Sequence, residues 1–212
     1  MRLLARTLLA LALAAAGPAA AEDEIGVGLP APTFTLRALN PDVAGAATVS
    51  LDRLVGPDSE DPGARLVLLS FFASWCEPCQ RELPFLVQLD GMYRDRGLRV
   101  LSVSIDQEPP AIEKARAQVT AAGARHPVLS DRFNFLARRY LGEKAPLPSV
   151  FLIDRAGNVT RIERGYAKDA PAFLLAEVQR GLGIPAAKAA PAASPAPRRE
   201  PAATAPKPRA SR

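Results

Sequence analysis

Leu66-Val67-Leu68-Leu69-Ser70-Phe71-Phe72 runs directly into Ala73-Ser74-Trp75-Cys76-Glu77-Pro78-Cys79, and the fold turns on how this stretch is read. A near-continuous apolar run of this length is what a central strand, buried on both faces, requires. From residue 77 to residue 96 the pattern changes to a helical period, with Leu83, Leu86, Val87 and Leu89 around an amphipathic face. Pro78 suits a first helical turn, Pro84 should kink the helix from inside, and Gly97 closes it. The two cysteines therefore fall where a buried strand ends and a helix begins. Orphan N–H groups and the positive end of the helix dipole stabilise a thiolate there. The thiolate is the form that attacks a disulfide. Cys76, at the outer end of the turn, is the expected nucleophile. Cys79, one turn in and more buried, is the expected resolving thiol, which releases a mixed disulfide by attacking Cys76.

Working outward, residues 33–36 alternate in the manner of a strand, and 40–63 read as loops with a short strand and turn around 49–54. Residues 98–105 form the next strand, and Asp106 is placed to begin a helix over 109–122. A second short helix is expected over 131–141, ending at Gly142. His126, just before Pro127, reads as a surface residue in a loop. Residues 150–153 and 159–163 flank Asp154-Arg155-Ala156-Gly157-Asn158, the turn of a β-hairpin. Asp169 is expected to cap a last helix that runs to 181–183. A β–α–β start with an antiparallel end gives an α/β fold, a mixed sheet with helices on both faces.

The chain has 212 residues, enough for one domain with a single core. Its formal charge of +5 sits at the ends. Arg2 and Arg6 precede a short apolar run and Ala19-Ala20-Ala21, the composition of a secretory signal peptide cleaved after Ala21. The apolar run is shorter than the roughly 20 residues a spanning helix needs, so an uncleaved anchor is the weaker reading. Residues 185–212 collapse to Ala, Pro, Ser, Lys and Arg, which cannot build a core. The organisation is thus a leader at 1–21, one domain at 22–184 and a solvated tail at 185–212. The tail is read as a flexible end and not as a nucleic-acid site, and a monomer is expected.

Only two cysteines occur, and they close almost no loop, so the pair has little value as a structural staple. Tetrahedral zinc needs four ligands, and two cysteines with one histidine do not supply them. No metal and no cofactor are expected. A lone CxxC in an exported chain favours redox chemistry.

The stretch LVLLSFFASWCEPCQRELP at residues 66–84 resembles thioredoxin-family proteins, and most closely their exported TlpA/ResA-like branch. Ala31-Pro32-Thr33-Phe34-Thr35-Leu36, residues 101–106, and Leu147-Pro148-Ser149-Val150-Phe151-Leu152-Ile153-Asp154 with Gly157 are similar to further motifs of that branch. The resemblance implies a thioredoxin-like fold with a helical insert before the proline strand. It makes Pro148, preceded by Leu147, a cis-proline that shapes a substrate groove. It also implies a periplasmic thiol–disulfide oxidoreductase acting on disulfide-containing exported proteins, commonly apocytochrome c thiols, with electrons from an upstream membrane or periplasmic thiol donor.

Glu82 lies three residues after Cys79, as an acidic residue does in the ResA-like subset, which suggests a partly buried carboxylate exchanging a proton with the resolving thiol. The competing reading is a solvated helix carboxylate pairing with Arg81 or Arg94. Thioredoxins themselves place an Asp six residues before the first cysteine, where this chain has Ser70. Glu77 is favourable at the helix start but opposes a neighbouring thiolate, which leans the pair towards reductase chemistry. Trp75, Glu77, Pro78, Leu147 and Pro148 are the expected substrate contacts. A peroxiredoxin-like thiol peroxidase and a Cu(I)-handling module that pairs the cysteines with His126 remain as alternatives.

Overall fold

The computed structural model describes residues 25–143 and 146–185. The leader expected at 1–21 and all of the expected tail except Pro185 lie outside the described residues. Among the described residues no helix is long and apolar enough to cross a membrane.

The chain orders itself as β1 (Thr35–Ala38), α1 (Pro41–Ala44), β2 (Thr48–Ser50), β3 (Leu66–Phe72), α2 (Glu77–Tyr93), a 3-10 turn (Arg94–Arg96) and β4 (Leu98–Ser104). Then follow α3 (Pro109–Ala121), β5 (Val128–Ser130), α4 (Phe135–Leu141), β6 (Ser149–Asp154), β7 (Val159–Arg164) and α5 (Ala170–Gly181). The strands form one mixed sheet in the order β2-β1-β5-β4-β3-β6-β7. β3 and β5 both run parallel to β4, while the remaining neighbours are antiparallel.

Every residue of β3 is buried, as a central strand demands. Val67, Leu69 and Phe71 pack with Tyr140 and Phe151 on one face. Leu66 and Leu68 pack with Leu86 and Leu89 of α2 and Leu174 and Val178 of α5 on the other. On the first face Tyr140 and Phe151 meet edge to face at 5.0 Å, a favoured aromatic geometry. On the second, α5 approaches so closely that a Cβ at Gly181 would lie 2.8 Å from Leu66, so glycine is needed there. Gly97 turns the chain out of the helix with φ 101°, and a Cβ there would sit 2.8 Å from the Gly63 carbonyl.

Several local expectations change. α2 runs through Pro84 as expected but ends at Tyr93, and the 3-10 turn at Arg94–Arg96 takes over up to Gly97. The first strand covers 35–38, two residues later than the alternation suggested. Within the expected helical insert, Val128–Ser130 is a strand joining β4 to β1. Asp106 does not begin α3. Glu108 holds the cap position, and Pro109 and Pro110 leave no N–H at the first two helical positions for a side chain to cap. α4 begins at Phe135 rather than at Asp131, although the Asp131 carboxylate accepts the Ala137 N–H at 2.7 Å. Asp169 occupies the cap position of α5 without a side-chain bond.

His126 is not a surface residue. It is fully buried, with Nε2 3.0 Å from Ser102 Oγ. Burial outweighs the attraction of the nearby Asp90 carboxylate and lowers its pKa to about 4, so the ring is neutral at neutral pH. A His-Pro pair suggests a loop, but Pro127 leads straight into β5 and carries His126 beneath the sheet.

Candidate active site

The turn between β3 and α2 holds the Cys76–Cys79 disulfide. Cys76 is the N-cap of α2, Glu77 and Pro78 are its first two residues, and Cys79 is the third. Pro78 has no N–H to offer, and the Cys79 amide at the third helical position donates to Cys76 Sγ at 3.2 Å. A sulfur thus takes the place that a Ser or Asp oxygen takes in an ordinary N-cap. When the pair is reduced, that N–H and the helix dipole favour a thiolate on Cys76. Cys76 and Cys79 are 5% and 3% exposed, so the two are buried almost equally.

The residue that fixes this turn is Ser74. Its N–H reaches Asp106 Oδ2 at 2.9 Å and its hydroxyl reaches Oδ1 at 2.8 Å. The Ser104 hydroxyl also donates to Asp106 at 2.8 Å. The Ser74 carbonyl accepts from Gln80 of α2 at 3.1 Å and Gln118 of α3 at 3.0 Å. Three elements therefore grip one residue, two positions before the outer cysteine. The sequence reading missed this node. The signal was register: β3 and β4 pair in parallel with Ser70 beside Ser102 and Phe72 beside Ser104, and the same offset puts Ser74 beside Asp106.

Glu82 is buried, one turn into α2 from Cys79, and accepts a 2.8 Å hydrogen bond from Ser70 Oγ. Burial pushes its pKa up to about 7, against the smaller opposing pull of the Ser70 hydrogen bond. The solvated alternative is excluded by the partners of the two arginines. Arg81 pairs with Glu77 at 2.7 Å, and Arg94 pairs with Asp90. Glu77 is thereby an exposed, paired carboxylate whose effect on Cys76 is reduced by Arg81.

Cys76 opens on a cleft of about 680 Å³. Of the residues named from sequence as substrate contacts, Trp75, Glu77, Pro78 and Leu147 line it. Pro148 does not. The Leu147–Pro148 peptide is cis, Leu147 borders the cleft, and Pro148 is buried behind it with its carbonyl accepting from Gly165 N–H at 2.7 Å. Asn134, Arg138 and Glu143 complete the wall, and none had been singled out from sequence. Cys79 and Glu82 do not line the cleft and stand behind Cys76, in the protein interior. His126 is bonded to Ser102, and among the described residues no group of three or more His, Cys, Asp or Glu could hold a metal ion. The Cu(I) reading therefore loses the histidine it called for.

Comparison with known proteins agrees with the fold. The model of the AhpC/TSA family matches residues 27–162. The thiol-disulfide oxidoreductase ResA of Geobacillus kaustophilus is 33% identical over 99 residues, which are 47% of this chain and 54% of that protein. The match thus spans about half of that relative's length. ResA of Bacillus anthracis is 28% identical over 165 residues, covering 74% of this chain and 85% of the relative. Among solved structures, a putative thiol:disulfide interchange protein DsbE from Chlorobium tepidum superposes with a TM-score of 0.63 at 28% identity, over 76% of this chain and all of that one.

Proposed function

Because this chain belongs to the AhpC/TSA family and has its thioredoxin-like fold, we propose that it is a thiol–disulfide oxidoreductase that reduces disulfides in other exported proteins. The observation that carries the reading is the Cys76–Cys79 disulfide at the N-terminus of α2, with Cys76 opening on a cleft of about 680 Å³.

In the reduced protein the Cys76 thiolate attacks one sulfur of the substrate disulfide. A mixed disulfide forms and the other substrate sulfur leaves as a thiolate that takes up a proton. Glu82 accepts the proton of Cys79, and the Cys79 thiolate attacks Cys76 Sγ. The Cys76–Cys79 disulfide forms and the second substrate sulfur leaves. Two electrons pass to the substrate, and an upstream membrane or periplasmic thiol donor returns the protein to its dithiol state. A carboxyl with a pKa of about 7 is matched to that proton exchange near neutral pH.

The remaining features belong to the same reading. Residues 1–21 act as a cleaved export signal that sends a monomeric domain at 22–184 to the periplasm, with 185–212 as an appended tail. Apocytochrome c thiols are the substrate class this reading favours, from the resemblance of residues 66–84 to the TlpA/ResA-like branch.

The deciding experiment is the reduction potential of the Cys76–Cys79 couple in a series of redox buffers. A value near or below about −270 mV supports a reductase, and a value near about −120 mV would make the protein a disulfide donor.

A further inference from the structure

Trp75, Phe133 and Phe135 are the exposed tryptophan and phenylalanines among the described residues, each 66% exposed. All three stand around the cleft at Cys76 or on the loop that forms its wall. Exposed aromatic surface gathered in one place marks an interaction site, whereas scattered single residues do not.

The loop before α4 is ordered by its own contacts. Arg132 stacks on Phe133 at 5.8 Å, Phe133 meets Phe135 at 6.0 Å, and Arg138 lies over Phe135 at 5.2 Å. Arg138 also donates to the Phe133 carbonyl at 3.2 Å. The result is a ladder of guanidinium, ring, ring and guanidinium. At its centre Asn134 is held at φ 55°, the one residue other than glycine with positive φ among the described residues. With its amide oriented to suit its neighbours, Asn134 donates to the Ile105 carbonyl at 3.1 Å and accepts from Gln107 at 2.6 Å. Asparagine adopts this left-handed conformation more readily than most residues, and these two bonds fix it at the lip of the cleft.

Charge decides what the ladder meets. Among the described residues neither Arg132 nor Arg138 has a carboxylate within ion-pair distance. On the far side of the loop a second hollow of about 570 Å³ is lined by Phe34, Phe133 and Phe135 with Arg37 and Arg132. Its one acid, Asp131, is buried and committed to the start of α4. A second copy would bring like charges together, and so would the chain's own Lys- and Arg-rich end. An anionic bilayer laid on this face would meet Glu77 and Glu143 at the cleft. A polypeptide strand can place acids on the arginines and avoid those carboxylates.

We infer that the Arg132–Phe133–Phe135–Arg138 ladder is a docking wall for partner polypeptides, taking a segment whose apolar side chains are flanked by acidic ones while its disulfide enters the cleft at Cys76. The wall rests on the redox reading for its purpose. It determines which disulfides are presented and takes no part in the exchange itself.

The test uses two synthetic peptides of equal length and apolar content, one with three glutamates and the other with three lysines beside a disulfide loop. Serine-for-cysteine versions are titrated into the oxidised full chain, with Trp75, the only tryptophan, as fluorescence reporter. The glutamate peptide is expected to bind about tenfold more tightly at low salt and to lose that advantage at about 0.5 M salt. Arg132→Glu is expected to abolish or invert the preference, and Phe133→Ser with Phe135→Ser to weaken both peptides. Equal binding of the two peptides, or a preference that survives Arg132→Glu, would overturn the wall. So would binding to phosphatidylglycerol vesicles that the phenylalanine variant loses, which would assign the patch to lipid. The disulfide peptides are then mixed with reduced protein. Reduction that shows no preference overturns the wall alone, whereas a clear binding preference with no reduction of either peptide overturns the redox reading alone.

Discussion

Ser70, in the middle of the central strand, donates its hydroxyl to the Glu82 carboxyl at 2.8 Å, and the two form a buried polar contact on the α2 face of an otherwise apolar strand. Glu82 is held at a pKa of about 7 against an ordinary 4.5, so the folded protein binds a proton that the unfolded chain releases between those values. Stability therefore falls as pH rises through that window, by about 3 kcal/mol in all, and levels off above it. Urea unfolding of the oxidised His126→Gln variant, in which the opposing histidine titration is absent, should show most of the loss between pH 5 and pH 8, and adding Glu82→Gln should remove it. An unchanged pH dependence in the variant would show that burial does not hold Glu82 protonated.

The Ser70 bond favours the ionised form, so its removal moves the pKa further up. Ser70→Ala is expected to raise the Glu82 titration above about 7, read from the carboxyl carbon by NMR. A downward shift would mean that Ser70 serves mainly as an acceptor from the protonated acid.

His126 gives the opposite slope. With its pKa at about 4 against an ordinary 6.5, the folded state binds fewer protons than the unfolded chain between those values. Stability is lost as pH falls through that window. Between about pH 4.5 and 6.5 the two residues oppose one another, so each is best seen with the other replaced. In Glu82→Gln the acid limb should steepen, and in Glu82→Gln with His126→Gln it should flatten.

Asp106 accepts the Ser74 amide, the Ser74 hydroxyl and the Ser104 hydroxyl, and among the described residues it has no ion-pair partner. Asp106→Asn turns one oxygen into a donor facing donors and should cost about 2–3 kcal/mol in urea unfolding. Cys76 of the reduced variant should also react differently with iodoacetamide, because the turn that orients it is loosened. A variant as stable as the parent would show that the Ser74 node is not needed.

Cys79→Ser should accumulate a mixed disulfide between Cys76 and a disulfide substrate, seen as a mass increase that dithiothreitol reverses. Cys76→Ser should form none. Trapping on Cys79 in the second variant would reverse the roles of the two thiols.

The sequence by itself determined the parts whose cause is local. An apolar run long enough to be buried on both faces specifies β3, a change to helical period with Pro78 at its start specifies α2, and two cysteines at the joint specify the chemistry. The hairpin from β6 to β7 was legible for the same reason, whereas the cis Leu147–Pro148 peptide was implied only by the family resemblance. Tertiary structure alone decided the rest. A three-residue strand such as β5 has too few residues to show a period and exists because β4 and β1 supply its hydrogen bonds. His126 is buried because Pro127 leads into that strand. Glu82 could have faced water or the core, and the rotation of α2 against β3 put it beneath Ser70. The Ser74–Asp106 grip joins residues 32 apart, and the cleft wall at Asn134 and Arg138 comes from the start of α4, distant in sequence from Cys76. Local pattern reports which face of an element is apolar, whereas the partner across a parallel crossover is set by the packing of the whole sheet.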